Sequence, residues 1–339
     1  MMNGKFCLIA VCVLALFFYN CNRKLDSTTS TNVYALIKGI DRNIKYYKNG
    51  VLHILEDTDA GSASDIYVDG MDVYVAGTVY GVLKCWKNDV EVFVDNSINR
   101  IGSTGLCISG GSFFISGYRE PNALDHLKTP LYWSNNIRVP LTTDSVTRAS
   151  TSGIAVYNGD VYVSGYEQVY LENPGTHIPK YWKNGKEVIL PGNPAYTTDI
   201  KVQNGTVYIS GAINFMPVYW RNGIVQELEL PNGDFFYQTS GISVNGGNVY
   251  VSGTIGEYVG ETRVIKPVYW KNGKLVRLNV TDAEYFTHGI LVHGSDVYTY
   301  GFSFRVDKYG NFIHKPKYWK NSAEIALPGD GECVSLFIK

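Results

Sequence analysis

The sequence predicts an all-β fold, a seven-bladed β-propeller, because two short blocks of residues alternate along nearly the whole chain. One block is an aromatic strand that runs into a tight turn, as in Tyr181-Trp182-Lys183-Asn184-Gly185. The other is a short strand that ends on a glycine, as in Val161 to Gly165. We place seven such closing glycines between positions 39 and 301, so one repeat averages about 44 residues, the length of a propeller blade.

The aromatic block predicts the outer hairpin of each blade. Asn-Gly supplies the two positive-φ positions of a type I′ turn, and the preceding aromatic residues favour a pleated, buried strand. The seven copies begin at Tyr46, Cys85, Tyr132, Tyr181, Tyr219, Tyr269 and Tyr318, and the closing glycines of the other block are Gly39, Gly77, Gly117, Gly165, Gly211, Gly253 and Gly301.

Two further strands complete each repeat. A short strand such as Gly153 to Val156 precedes the closing-glycine block, and a fourth such as Glu187 to Leu190 follows the turn. We name the four strands A to D, which predicts one antiparallel four-stranded blade per repeat. The fixed order of four blocks disfavours a β-sandwich, the other fold with short, evenly spaced strands.

The two chain ends together supply one blade. The chain enters at strand B, from Ala35 to Gly39, and ends in a lone strand A, from Gly331 to Ile338. A C-terminal strand A joined to N-terminal strands B to D would close the ring and remove its open edges. Glu332 stands where we expect the isoleucine of strand A, which leaves the register of this strand open.

Residues 1–20 are typical of an export signal. Lys5 precedes an apolar run from Phe6 to Phe18, whose 13 residues suit a signal peptide and are short for a bilayer span. Residues 21–31 are polar and predict a tether, and residues 32–339 form the predicted propeller. The chain has 30 Lys and Arg against 31 Asp and Glu, so nothing resembles the basic surface of a nucleic-acid-binding protein.

Phe18-Tyr19-Asn20-Cys21 resembles the lipobox of bacterial lipoproteins, in the loose form found in Bacteroidetes, although Phe18 and Tyr19 are bulkier than a strict lipobox has. The resemblance implies lipidation of Cys21 and attachment to the outer membrane, on its periplasmic or its cell-surface side. Residues 32–339 resemble the uncharacterised propeller-type lipoproteins of Bacteroidetes and, more distantly, the extracellular HAF repeats. That resemblance implies a fold and no activity.

The two faces of the predicted disc differ. The A–B and C–D turns are tight, whereas we expect long, irregular loops on the opposite face. These are the B–C connections at 118–129, 166–178, 254–266 and 302–315 and the D–A connections at 191–198, 231–240 and 281–288. Variable loops on a rigid scaffold usually carry binding. Aromatic residues there could stack on sugar rings while arginine and carboxylate groups bond their hydroxyls, although ordinary solvated loop residues would give the same composition. The candidate ligand-binding residues of this looped face are Tyr118, Arg119, His126, Tyr166, His177, Tyr196, Arg263, His288, Arg305 and Asp307, with further aromatic residues at Phe235, Tyr237, Tyr258, Phe286 and Phe304.

No catalytic, metal-binding or cofactor-binding motif accompanies the repeat, and the six histidines are scattered over the chain. The sequence therefore favours a non-catalytic binding or scaffold module of the cell envelope. A glycan-binding subunit of a carbohydrate-uptake system and a polysaccharide-active enzyme stay open as alternatives.

One further pattern lies beside the tight turns. A cation flanks six of the seven hairpins, at Lys48, Lys87, Lys183, Arg221, Lys271 and Lys320. These cations either keep the hairpins soluble or form a basic ring that docks on an anionic membrane or partner.

Overall fold

The computed structural model describes residues 31–95, 97, 100–120, 128–142, 148–169, 176–281 and 284–339. His126 and Cys21, two of the predicted site residues, lie outside these ranges. The part from Asn32 to Lys339 is one compact unit. Within the described residues no helix is long and apolar enough to cross a bilayer.

Within the described residues, twenty-eight strands form seven four-stranded antiparallel sheets, which confirms the predicted seven-bladed propeller. The chain starts with β1 (Val33–Gly39), β2 (Ile44–Lys48) and β3 (Val51–Glu56). Blade 1 contains β4 (Gly61–Asp69), β5 (Asp72–Val79), β6 (Val82–Lys87) and β7 (Val90–Asp95). Blade 2 contains β8 (Arg100–Ser109), β9 (Ser112–Glu120), β10 (Thr129–Ser134) and β11 (Ile137–Pro140). Blade 3 contains β12 (Arg148–Tyr157), β13 (Asp160–Val169), β14 (Thr176–Lys183) and β15 (Lys186–Ile189).

The second half of the chain repeats this order. Blade 4 contains β16 (Ala195–Gln203), β17 (Thr206–Ile213), β18 (Met216–Arg221) and β19 (Ile224–Glu227). Blade 5 contains β20 (Phe235–Asn245), β21 (Asn248–Val259), β22 (Thr262–Lys271) and β23 (Lys274–Arg277). Blade 6 contains β24 (Glu284–His293), β25 (Asp296–Val306), β26 (Phe312–Lys320) and β27 (Ala323–Ala326). The last strand is β28 (Gly331–Ile338).

Blade 7 is composite, as predicted. Its strand order is β28-β1-β2-β3, so the C-terminal strand A pairs with the N-terminal strand B. The backbone N–H of Asn32 donates to the Lys339 carbonyl (2.6 Å), and the N–H of Lys339 donates back to Asn32 (2.9 Å). The two chain ends therefore take the place of an A–B turn.

The register of blade 7 corrects two details of the sequence analysis. A β-bulge in β28 lets Ser335 face Leu36 and Leu336 face Ala35, so Leu336 and not Glu332 takes the position of the strand A isoleucine. Ile37 faces Cys333 and takes the position of a closing glycine, so the choice of Gly39 was wrong by two residues. The copy of the strand B block in this blade is Val33 to Ile37.

A tryptophan in strand C explains the closing glycines. All six tryptophans are buried, with at most 2% of each exposed. A Cβ on Gly253 would lie 2.6 Å from Cζ3 of Trp270, and Gly117, Gly165 and Gly211 face their tryptophans in the same way. Blade 7 has Tyr47 at the tryptophan position, opposite Ala35, and its closing-glycine position tolerates Ile37.

The asparagine of each tight hairpin has a second role besides its positive φ. Its side-chain oxygen accepts a hydrogen bond from a backbone N–H at the start of strand B, over 2.8 to 3.1 Å, in all seven blades. The asparagines are Asn49, Asn88, Asn135, Asn184, Asn222, Asn272 and Asn321. Each one fastens the C–D turn to the A–B turn beside it and makes this the smooth, tight-turn face of the disc.

The B–C connections of blades 5 and 6 are not the irregular loops that we expected. β21 and β22 stay paired as far as Val259 and Thr262, and β25 and β26 as far as Val306 and Phe312. β-branched and aromatic residues fill these stretches and continue the strand pattern. The looped face therefore carries projecting hairpins, which hold their side chains on a regular framework.

Candidate functional site

Hydroxyl groups around the central channel form the same hydrogen bonds in four successive blades. In blades 2 to 5 a serine or threonine at the strand A bulge bonds a serine of its own strand B and a threonine of the next blade. Ser152, for example, is 2.8 Å from both Ser164 and Thr197. The bulge residues that follow this rule are Thr104, Ser152, Thr198 and Ser240.

Blade 6 breaks this pattern. His288 occupies the position of the bulge hydroxyl, and Tyr300 replaces the strand B serine opposite Gly289. The tyrosine ring covers that glycine so closely that a Cβ there would lie 2.1 Å from the Tyr300 hydroxyl. Burial raises the pKa of Tyr300 well above its usual value, and the nearby carboxylates act in the same direction, so the phenol stays protonated.

His288 belongs to a cluster of two histidines that share one carboxylate, which we call the histidine–glutamate cluster. Glu332 Oε2 lies 3.1 Å from His288 Nε2, and its Oε1 lies 3.1 Å from His314 Nδ1. Phe302 stacks on both imidazoles, with centroid distances of 5.4 and 4.8 Å. Burial alone would raise the pKa of Glu332, but the bonds from the histidines and the charge of Lys38 outweigh it and hold the pKa at about 2.

Aromatic rings extend from this cluster across the hairpins of blades 5 and 6. Phe286 lies 5.5 Å from both Phe302 and Tyr237, and Phe304 lies 6.0 Å from Phe312. Phe235 lies 5.9 Å from Tyr258. We call Phe235, Tyr237, Tyr258, Phe286, Phe304 and Phe312 the aromatic surface; Tyr258 is 64% and Phe312 69% exposed.

Arginine lies over this surface. The Arg263 guanidinium is 4.1 Å from the Phe235 ring centroid and 5.2 Å from that of Tyr237. Arg277 is held by Asp234 (2.6 Å) and Glu257 (3.4 Å). Arg263 and Arg305 are exposed and form no ion pair within the described residues, so their N–H groups are available to a ligand.

The predicted site residues separate into those that meet and those that do not. Arg263 and His288 belong to the region just described. Arg305 lies near the end of β25, in the β25–β26 hairpin of blade 6. Asp307 instead closes its own turn, accepting from the backbone N–H groups of Tyr309 and Asn311.

The other predicted residues lie in blades 2 to 4. Lys128 covers Tyr118 at 4.0 Å, and Arg119 is half-buried beside it on β9. Tyr166 meets the edge of His177 at 5.1 Å. Tyr196 is half-buried on β16, where burial raises its pKa to about 12.

Sequence reasoning missed Glu332, Phe302 and Tyr300 as site residues. Phe302 aligns with Tyr118 and Tyr166 of blades 2 and 3, and the residue at the Glu332 position differs from blade to blade, so neither stood out. Tyr300 did leave a signal, since blades 2 to 5 carry a serine at its position. It could be used only once the true register of β24, β25 and β28 was known.

The central channel contains a cavity of about 640 Å³ between the A strands. Asp65 accepts bonds from Ser335 Oγ (2.6 Å) and from the Leu106 N–H of the next blade (2.8 Å). Asp199 pairs with Lys201 (3.1 Å) and accepts from the Ile242 N–H (3.2 Å). These carboxylates join neighbouring blades, and among the described residues no group of three or more potential metal ligands converges.

The cations beside the tight turns do not form a free basic ring. Each of the six lies 5.2 to 5.9 Å from a tyrosine ring centroid in strand B. Lys87, Lys183 and Lys320 also pair with Asp72, Asp160 and Asp296 over 2.7 to 2.8 Å. The structure favours their role as supports of the hairpins.

Comparisons with known proteins do not assign this chain to a family. No protein-family model and no curated protein matches the chain. Similar solved structures include a Trypanosoma rangeli sialidase in complex with sialic acid, at 10% identity and a TM-score of 0.47, with 91% of this chain and 59% of that chain covered. A puromycin-hydrolyzing peptidase of Mycobacterium tuberculosis has 10% identity and a TM-score of 0.41, with 79% of this chain and 53% of that chain covered.

The GH43_1 enzyme of Xanthomonas citri, complexed with xylose, has 11% identity and a TM-score of 0.33, with 62% of this chain and 89% of that chain covered. This chain thus spans less than two thirds of the length of the sialidase and the peptidase. Likenesses of this size carry no conclusion about activity. What the strand order of the chain itself establishes is the fold class, a seven-bladed β-propeller.

Proposed function

We propose that this protein is a glycan-binding module of a bacterial cell envelope, and that it holds a saccharide on the aromatic surface of blades 5 and 6. The observation that carries the proposal is the joining of exposed rings, an unpaired arginine and a carboxylate-bridged pair of histidines in one region. In blade 6 the chain departs from its own repeat, since His288 and Tyr300 replace the hydroxyl-bearing residues that blades 2 to 5 carry.

The chemistry of this region suits a saccharide. The exposed faces of Tyr258 and Phe312 offer flat apolar area to the C–H face of a sugar ring, and the tyrosine hydroxyls add polar contacts. The Arg263 guanidinium presents directional donors to hydroxyl or carboxylate oxygens. The second ring nitrogens of His288 and His314 can bond further hydroxyls, because Glu332 fixes the orientation of both imidazoles.

A protein partner is the second candidate, because the same face also carries exposed apolar side chains at other hairpin tips. Phe215 is 81% and Tyr80 is 71% exposed. Phe215 has a φ of 60°, in a turn where the chain elsewhere uses glycine. Holding a bulky residue there costs about 1 kcal/mol, and a contact with a partner would offset that cost.

We place the protein at the outer membrane, held by a lipid on Cys21 and joined to the propeller by the polar tether of residues 21–31. The support for this localisation is the sequence of residues 1–31 alone. Metabolic labelling with a palmitate analogue, compared between the wild type and Cys21→Ala, tests it directly: labelling must be lost in the variant.

Glycan binding is tested with the full chain in mild detergent on a panel of neutral and acidic polysaccharides. We expect Tyr258→Ala to weaken binding at least tenfold, which corresponds to about 1.4 kcal/mol. The matched control is Tyr80→Ala, which removes an equally exposed tyrosine from the same face and must leave affinity unchanged.

Two outcomes contradict the proposal. One is a wild-type protein that binds no member of the panel; the other is binding that survives the double variant Tyr258→Ala, Phe312→Ala. Either result would favour the second candidate, binding of a protein partner. A pull-down with wild type and Phe215→Ala would then identify that partner.

A further inference from the structure

Exposed aliphatic side chains gather in one part of the tight-turn face. Val51 is 63%, Val90 65% and Ile137 68% exposed, each as the first residue after the C–D turn of blades 7, 1 and 2. Met71, in the A–B turn of blade 1, is 92% exposed. The same first position carries Lys186, Lys274 and Ala323 in blades 3, 5 and 6, and Ile224 in blade 4. Three successive blades are therefore apolar here. We call Val51, Met71, Val90 and Ile137 the apolar sector.

Side-chain contacts are formed by residues next to the members of this sector. Asp89, next to Val90, accepts from Tyr46 and contacts His53 at 2.8 Å each, which ties the turn of blade 1 to blade 7. Asp72, next to Met71, accepts a hydrogen bond of 2.7 Å from Asn88, which lies in the C–D turn of the same blade.

Blade 2 is joined to blade 1 by a further ion pair. Arg138, which follows Ile137, pairs with Asp95 over 3.2 Å. The four exposed side chains thus lie on turns of three successive blades, on one face of the disc.

The polypeptide enters the propeller at this sector. Asn49 Nδ2, in the turn before Val51, donates to Asn32 Oδ1 at 2.7 Å, and Asn32 is paired to Lys339. Ten residues, 22–31, separate Cys21 from Asn32. Fully extended, the chain from Cys21 to Asn32 spans at most roughly 40 Å. A lipid on Cys21 would therefore hold the Asn32 end of the disc close to the bilayer.

We propose that the apolar sector is a membrane-contact surface, which inserts its aliphatic side chains into the interfacial region of the bilayer that anchors the protein. This inference rests on the lipid anchor of the proposed function. Clustered exposed apolar residues mark interaction sites, and burying each of them in the interface removes apolar area from water.

The charges of the sector decide what kind of lipid surface it fits. Lys87 is paired with Asp72, and Asp69 and Asp89 are exposed beside it. Lys48 stacks on Tyr34. This is no net basic patch, so contact depends on apolar insertion and not on anionic headgroups. The aromatic surface lies on the opposite face and would point away from the membrane, toward a glycan.

The experiment uses the full lipidated chain in phosphatidylcholine vesicles, with an environment-sensitive fluorophore attached at Met71→Cys or, as the matched control, at Phe215→Cys on the looped face. The native thiols are free, with Cys85 and Cys333 buried, and the labelled wild type supplies the background from Cys107. We expect nitroxide-bearing lipids to quench the fluorophore at position 71 several-fold more than the one at 215.

A double variant and a change of lipid extend the test. Val51→Asp with Val90→Asp must reduce quenching at position 71 while the protein still sediments with the vesicles. Phosphatidylserine must leave quenching unchanged. Equal quenching at 71 and 215 overturns the inference, and so does quenching that requires phosphatidylserine.

The experiment tests the lipid anchor and the membrane contact of the apolar sector separately. A wild type that does not sediment with vesicles refutes the anchor and with it the inference, whereas a bound protein with an unquenched position 71 refutes the sector alone. Glycan affinity, measured on the same variants, reports on the opposite face and is independent of both results.

Discussion

Glu332 shows how a single residue can serve both the ring and the candidate site. It lies on β28, the strand that closes the ring, and its carboxylate bonds His288 and His314 of blade 6. Only 18% of its side chain is exposed, so its charge is stabilised mainly by these partners. Because its pKa is held at about 2, below the ordinary 4.5, the ionised form stabilises the folded state.

The pH dependence follows from the sign of that shift. A lowered carboxyl pKa contributes stability that is fully present above pH 4.5 and is lost as the pH falls toward 2. We expect Glu332→Gln to reduce the free energy of unfolding by about 2–3 kcal/mol at pH 7. Urea unfolding at several pH values should show the wild-type and variant curves converging near pH 2. Glu261→Gln, an exposed glutamate without an ion pair in the described residues, is the control; a difference that does not depend on pH would contradict this account.

At the scale of the element, the blade depends on the contact between strand B and strand C. In blades 2 to 5 the closing glycine of strand B faces a tryptophan of strand C and a carbonyl of strand A, so three of the four strands meet at one point; in blades 1 and 6 it faces the strand A carbonyl. This contact explains why glycine and tryptophan recur together along the chain. It also explains why the blade that lacks tryptophan accepts an isoleucine.

Gly253→Ala tests this contact. The new methyl carbon would lie 2.5 Å from the Gln238 carbonyl oxygen and 2.6 Å from Trp270, so strands A and C must separate. We expect a loss of about 2–3 kcal/mol of unfolding free energy, as for other overpacked cores. Gly105→Ala is the matched control, because its nearest neighbour would be 3.3 Å away. Equal losses in urea unfolding of the two variants would show that strand propensity, and not the contact, sets the cost.

At the scale of the whole molecule, stability depends on how the ring is closed. Strand pairing between β28 and β1 joins the two chain ends within one blade, so opening the ring requires breaking a ladder of backbone hydrogen bonds. A ring closed only by the packing of complete blades would have no such ladder. Closure also brings blades 6 and 7 together, and so assembles the histidine–glutamate cluster.

Circular permutation separates these two modes of closure. An added Asn-Gly between Lys339 and Asn32 should complete the missing A–B turn, since Lys339 and Asn32 are already hydrogen-bonded. New termini in the A–B turn at Gly205 would make blade 4 composite, and we expect a Tm close to that of the unpermuted propeller. New termini at Gly233, between blades 4 and 5, leave every blade whole and should lower the Tm by several degrees because no strand pairing closes the ring. Equal melting temperatures would show that strand exchange contributes nothing.

The blade, the number of blades and the composite closure could all be predicted from the sequence, because they follow from local patterns that recur: the Asn-Gly turn, the aromatic pair and the closing glycine. The sequence also indicated which face carries the aromatic residues. Tertiary structure decided the register of blade 7, where Leu336 and Ile37 take positions that the local pattern had given to Glu332 and Gly39. It decided the site as well, since Glu332, His288 and His314 come from three strands and meet only when the ring closes. Contacts between residues far apart in the chain leave no periodic trace in the sequence, and for that reason the site could not be predicted from it.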